Sequence, residues 1–146
     1  MSYESNNLHE LYQEIILDHN KRPRHYGVLN TFTDQVEGFN PLCGDKLQIY
    51  LQLEAGTLIA ISYECAACAI CKASSSIMCE ELVNNRFQDC DNTILDGLQL
   101  LDHHQTKGQH SNGDLKALEG VHKFPARINC AKLPWITLRD YFTNKD

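Results

Sequence analysis

The chain has no excess of positive charge, no long apolar run, no internal repeat and no low-complexity tract. Thirteen Lys and Arg stand against 19 Asp and Glu, for a net charge of −6. That balance argues against broad contact with nucleic acid or an anionic membrane surface. No stretch approaches the roughly 20 apolar residues that a membrane-spanning helix needs. Met1-Ser2-Tyr3-Glu4-Ser5-Asn6 lacks the basic start and apolar run of a secretory signal. A cytoplasmic location is therefore expected, with neither nucleic acid nor membrane as partner. In that reducing setting, seven cysteines point to metal or sulfur chemistry rather than disulfides.

The 146 residues suit one domain, 1–146, with a core that needs no disulfide staples. Leu8, Leu11, Tyr12, Ile15 and Ile16 recur at helical spacing, and that helix should end before Pro23. One short strand fits near 31–37. Leu47, Ile49, Leu51 and Leu53 alternate with more polar neighbours, which predicts a half-buried strand. Ala55-Gly56 turns it, and Leu58 to Tyr63 returns as its hairpin partner. Helical patterning runs from about Ala69 to Asn84-Asn85, and again from about Thr93 to Leu101. His103 to Gly113 reads as a polar loop that carries His103, His104 and His110 on the surface. Asp114 to Leu118 suits a short helix. Pro125 opens a last helical segment to about Phe142, which Pro134 should interrupt or restart. Strands early and helices late predict an α+β fold, a small antiparallel sheet of about three strands packed against several helices.

The stretch Asn40-Pro41-Leu42-Cys43-Gly44-Asp45 sets a thiol and a carboxylate two residues apart. In an extended loop such residues point to one side, and Gly44 lets the backbone bend there. The stretch reads as a turn, or as half of a metal site with one soft and one hard donor. Cys65, Cys68 and Cys71 follow where the hairpin gives way to a helix. Thiols at a helix N-terminus gain thiolate character from its free N–H groups. Their spacing matches the first three ligands of a ferredoxin-type cluster loop. The fourth is missing, because the next cysteine is Cys79 and no proline follows it. Cys71, Cys79 and Cys90 read as buried core thiols, and Cys130, between apolar residues, reads alone as packing. Lys21, Arg22 and Arg24, with Lys123, Arg127, Lys132 and Arg139, read singly as solvated surface and jointly as a seat for an acidic partner. Ser74-Ser75-Ser76 lacks the Gly-x-Ser-x-Gly frame of a nucleophile elbow; its small residues suit close packing or polarising the site.

Three segments together resemble the SufU branch of the IscU/NifU-type iron–sulfur assembly proteins. They are Leu11 to His19 running on to Pro23-Arg24-His25-Tyr26-Gly27, then Asn40 to Asp45 with Cys68 to Met78, then Leu118 to Cys130. The resemblance implies the same α+β fold. It also implies that Cys43, Asp45, Cys68 and Cys130 are the metal or cluster ligands. His19 and His25 fall in the family's N-terminal motif and look like a structural or partner surface. The IscU branch has a histidine where this chain has Asn129, and the stretch from His103 to Glu119 resembles an insertion of the SufU branch. Cys65, Cys71 and Cys79 replace Gly, Ser or Thr of the family, so Cys65 or Cys71 stands as an alternative to Cys68 as ligand. Arg127 is a candidate neighbour of the site or partner contact.

The resemblance implies two mechanisms. In the first, zinc sits on three thiolates and a carboxylate, which keeps the thiols deprotonated. A pyridoxal-phosphate cysteine desulfurase of the SufS type presents a persulfide, and Cys43, on its loop beside Gly44, accepts the sulfur while Asp45 keeps the metal. In the second, the same residues build a transient [2Fe-2S] cluster for apo iron–sulfur proteins or a downstream scaffold. A ferredoxin-like electron carrier on Cys65, Cys68 and Cys71 is a third reading, and it lacks its fourth ligand.

Overall fold

The alternating stretch becomes the middle of an antiparallel sheet. The structure, a computed structural model, describes residues 2–102 and 114–145. Strands β1 (Asp34–Asn40), β2 (Asp45–Glu54) and β3 (Thr57–Ala66) lie in the order β1-β2-β3. Asp45 pairs with Asn40, Leu47 with Cys65 and Ile49 with Tyr63. Leu47, Ile49, Leu51, Ile61 and Tyr63 are buried almost completely, which marks the face that meets the helices. Ala55 and Gly56 both take positive φ, 51° and 78°, and turn the hairpin.

Helices α1 (Ser2–Lys21), α2 (Ala69–Leu82), α3 (Phe87–Asp102) and α4 (Ile128–Lys145) assemble with that face. Two 3₁₀ segments, Asp114–Lys123 and Pro125–Arg127, lead into α4. The core runs from Tyr12 and Ile16 of α1 through Ile77, Met78 and Leu82 of α2 to Trp135 and Leu138 of α4. Among the described residues the architecture is the expected α+β one.

Several boundaries differ from the sequence expectation. The first strand is 34–40 rather than 31–37, because it must pair with β2 up to Asp45. The helix expected from Thr93 begins at Phe87. Asn84 at φ 70° ends the chain's run out of α2, and the backbone of Phe87 then binds the Gly56 carbonyl at 3.0 Å. The helix expected over 114–118 continues to Lys123 as a 3₁₀ segment. Pro134 neither interrupts nor restarts α4, which runs through it. Its ring removes the one helical donor that the Cys130 carbonyl would receive, and the buried wall of Trp135 and Leu138 holds the helix together beyond it. His103, His104, His110 and the expected loop to Gly113 lie outside the described residues.

The serine run is buried, and it ties helices together. Ser74 Oγ donates to the Ala131 carbonyl at 2.7 Å and accepts from Trp135 Nε1 at 2.9 Å. Ser76 Oγ lies 2.7 Å from His19 Nδ1 and accepts the Arg24 backbone N–H at 2.9 Å. His19 Nε2 lies 2.5 Å from Asp114 Oδ2. His19 therefore joins α1, α2 and the first 3₁₀ segment from inside; it is a structural residue, only 1% exposed. The sequence left Asp114 and Ser76 unassigned as its partners, since they lie 95 and 57 residues away.

Candidate metal centre

The link from β1 to β2 is the turn its sequence suggested, and it sets a thiol and a carboxylate close together. Gly44 donates its N–H to the Asn40 carbonyl at 2.7 Å, and the Leu42 N–H binds Asn40 Oδ1 at 3.0 Å. Gly44 takes φ 76°, the left-handed region that favours glycine. The turn thus lifts Cys43 into solvent and drops Asp45 onto the inward face at the start of β2, where it is 4% exposed.

Cys130 comes to the same point from the first turn of α4, buried. Its Sγ lies 3.3 Å from Cys43 Sγ, and Cys43 Sγ lies 3.2 Å from Asp45 Oδ2. One donor atom from each of Cys43, Asp45 and Cys130 falls within 4.8 Å of the others. Among the described residues this is the group of thiols and carboxylates close enough to share one ion. Cys65, Cys68 and Cys71 do not form such a group.

Cys68 stands beside the three rather than among them. It is the N-cap of α2, extended at φ −70° and ψ 166°. Its backbone N–H donates to Asp45 Oδ1 at 3.1 Å. Asp45 therefore caps α2 with one oxygen and faces Cys43 with the other. The Cys68 thiol is half-buried and lies within electrostatic reach of Cys130 and Arg127. Arg127 is exposed, and its neighbours Cys130 first and Cys68 next push its guanidinium further above its ordinary value.

Burial dominates most of the thiols. It pushes the Cys65 thiol up to about 11, although the Lys72 ammonium pulls the other way. It also raises Cys71, whose side chain is fully enclosed. The expectation that this run is rich in thiolate thus fails for Cys65 and Cys71, because desolvation outweighs the helix terminus. Cys130 is raised by burial first, and next by its hydrogen bonds to Cys43 and Asp45. Cys79 and Cys90 are enclosed in the core and are not members of this group of donors.

Two soft thiols and a buried carboxylate, with a third thiol adjacent, form a donor set suited to zinc or to an iron–sulfur cluster. A small antiparallel sheet that carries its donors on one loop, one helix cap and one late helix defines the class. The chain belongs to the NifU-like N terminal domain family, which matches residues 11–131. It is 36% identical over 141 residues to the zinc-dependent sulfurtransferase SufU of Bacillus subtilis (strain 168), covering 94% of this chain and 92% of that one. It is 30% identical over 134 residues to the iron–sulfur cluster assembly scaffold protein IscU of Thermotoga maritima, covering 89% of this chain and 91% of that one. Among solved structures, a candidate iron–sulfur cluster assembly scaffold for the SUF system from Fervidobacterium islandicum AW-1 superposes with a TM-score of 0.79 at 25% identity. That match covers 90% of this chain and 96% of the other.

Proposed function

We propose that this protein is a single-domain sulfur acceptor of iron–sulfur assembly, with Cys43, Asp45, Cys68 and Cys130 as its metal ligands and Cys43 as the acceptor. The observation that carries it is the contrast inside one group of donors. Cys43 touches Asp45 and Cys130 yet is the exposed member, while those two are buried. The relative named as a zinc-dependent sulfurtransferase supports zinc as the metal. When bound, zinc would hold the thiols as thiolates near neutral pH.

The partner is a pyridoxal-phosphate cysteine desulfurase of the SufS kind that carries a persulfide. The Cys43 thiolate attacks the outer sulfur, the sulfur–sulfur bond breaks, and the desulfurase thiolate leaves. Cys43 reaches out on the Pro41–Gly44 turn, whose Leu42 is 87% exposed. Asp45 stays behind, held by the Cys68 N–H. Arg127, within electrostatic reach of Cys130 and Cys68, places a fixed positive charge beside the thiols. A cytoplasmic setting, where thiols stay reduced, suits this chemistry. No helix of the described residues is long and apolar enough to cross a membrane.

A second reading is supported by the relatives named as IscU scaffolds. The same donors would hold a transient [2Fe-2S] cluster and pass it to apo iron–sulfur proteins or a downstream scaffold. Single-turnover transfer of radiolabel from ³⁵S-cysteine through the desulfurase separates the two. Label on Cys43, with zinc in the purified protein and no colour after anaerobic reconstitution with iron and sulfide, supports the acceptor. A stable visible chromophore with acid-labile sulfide supports the scaffold.

A further inference from the structure

We propose that Cys71 is a resolving thiol, which reduces a sulfane sulfur carried on Cys68 and releases it as sulfide. The inference rests on the acceptor reading and adds the step by which the sulfur leaves. A sulfane sulfur is two electrons more oxidised than sulfide, so its release requires a dithiol or another reductant.

Cys68 and Cys71 frame the first turn of α2 as Cys-Ala-Ile-Cys, with Cys68 at the N-cap and Cys71 three residues on. Residues three apart on a helix share a face, about 5–6 Å apart between Cβ atoms. A disulfide needs about 3.5–4.5 Å between them, so closure asks only that this turn tighten toward the 3₁₀ form common at helix ends. The same placement, a reachable thiol at the helix start and a second one turn inward, is that of Cys-x-x-Cys redox pairs. Cys68 is half-buried and its side chain caps nothing, whereas Cys71 is fully enclosed. Among the described residues Cys71 belongs to no group of metal donors and takes no part in sulfur acceptance; it stands three residues on from the N-cap Cys68, on the enclosed side of the same first turn. Cys65 is the less apt partner, because the β-ladder to Leu47 fixes its backbone.

The step balances. Sulfane sulfur moves from Cys43 to Cys68 by thiolate attack on the outer sulfur, which returns Cys43 as a thiolate. The Cys71 thiol then attacks the inner sulfur of the Cys68 persulfide. A Cys68–Cys71 disulfide forms, the sulfur–sulfur bond of the persulfide breaks, and hydrosulfide leaves with the electron pair. The Cys71 proton passes to the departing sulfur of the persulfide anion, which leaves as that hydrosulfide, because the enclosed Cys71 has no contact with solvent. The two thiols are oxidised and the sulfane sulfur is reduced; an external dithiol resets the pair.

The full chain, as purified, is loaded anaerobically with inorganic polysulfide and desalted, and sulfide is followed without reductant. Release of about one sulfide per loaded chain, with loss of two free thiols mapped by alkylation and mass spectrometry to Cys68 and Cys71, is expected from that exchange chemistry. Cys71→Ser and Cys71→Ala should keep the bound sulfane sulfur and release sulfide only at the background rate; having two variants guards against one that misfolds. Release from both at the wild-type rate, or a disulfide mapped to Cys65–Cys68 or Cys43–Cys130, overturns the assignment. Sulfane sulfur that stays on the wild-type chain overturns this step alone. A chain that takes up no sulfur on any cysteine overturns the acceptor reading and this step with it.

Discussion

Asp45 and Cys68 are joined by a 3.1 Å hydrogen bond from the Cys68 backbone N–H to Asp45 Oδ1. A single carboxylate thus secures the start of α2 and, through its other oxygen, faces Cys43. The two duties can be pulled apart. Asp45→Asn keeps an oxygen that can accept the N–H but loses the charge, so it should fold normally and bind zinc more weakly. Asp45→Ala loses both, and should also lower stability by about 1–3 kcal/mol for a buried donor left unpaired. Elemental analysis and urea denaturation of the pair read the two effects separately.

The exposed and buried thiols should respond differently to truncation. Cys43→Ala removes a solvent-facing side chain and should change stability by no more than about 0.5 kcal/mol, as for most surface substitutions. It should abolish persulfide uptake in the single-turnover assay. Cys130→Ala trims a buried side chain from the first turn of α4 and should lower both zinc content and the denaturation midpoint.

Zinc uptake should depend on pH with a clear sign. Burial and its hydrogen bonds hold the Cys130 thiol above its ordinary range, so Cys130 is protonated near neutrality when no metal is bound. Binding must then expel protons, and affinity should rise with pH. Calorimetric titration in buffers of different ionisation enthalpy reads the protons released; an unchanged apparent enthalpy would count against a protonated Cys130 in the metal-free protein.

The metal-free fold should weaken in alkali. Folding raises the thiol of Cys65 from 9.0 to about 11 and that of Cys90 to about 12, in both cases mainly by burial. The protonated forms are the ones the fold favours. Their contribution is whole below the unfolded value and is lost as pH climbs through the folded ones. Urea midpoints should hold steady to about pH 9 and fall above it, a window set by these thiols.

Ser74 should matter more than its size suggests. Ser74→Ala strips Trp135 Nε1 of its acceptor inside the core, where Trp135 is fully buried. The cost should be about 1–3 kcal/mol for the unpaired donor, read as a lowered denaturation midpoint, with zinc content preserved.

Local pattern carried much of the fold. The two-residue alternation from Lys46 to Glu54 and the Ala55-Gly56 turn fixed the hairpin, because side-chain period and turn conformation are properties of neighbouring residues. The reach of α1 to just before Pro23 followed for the same reason. Boundaries set by pairing were less legible. Strand β1 slid to 34–40 to match β2, and α4 passed through Pro134 because tertiary packing outweighed a local breaker. His19 could be placed in a motif, but its burial between Ser76 and Asp114 had no local sign.

For the site, the sequence by itself determined the chemistry on offer: seven thiols, the Cys43-Gly44-Asp45 pairing and the run from Cys65 to Cys71. Those are covalent facts, fixed by residue type and spacing. Only the tertiary structure decided which thiols share a point. It brought Cys130 across 87 residues to 3.3 Å from Cys43, turned Asp45 inward to cap α2, and set Cys68 beside the group. The reason is physical: the meeting of a loop, a helix cap and a late helix is set by burying one common core face, and no single segment of the chain contains that face.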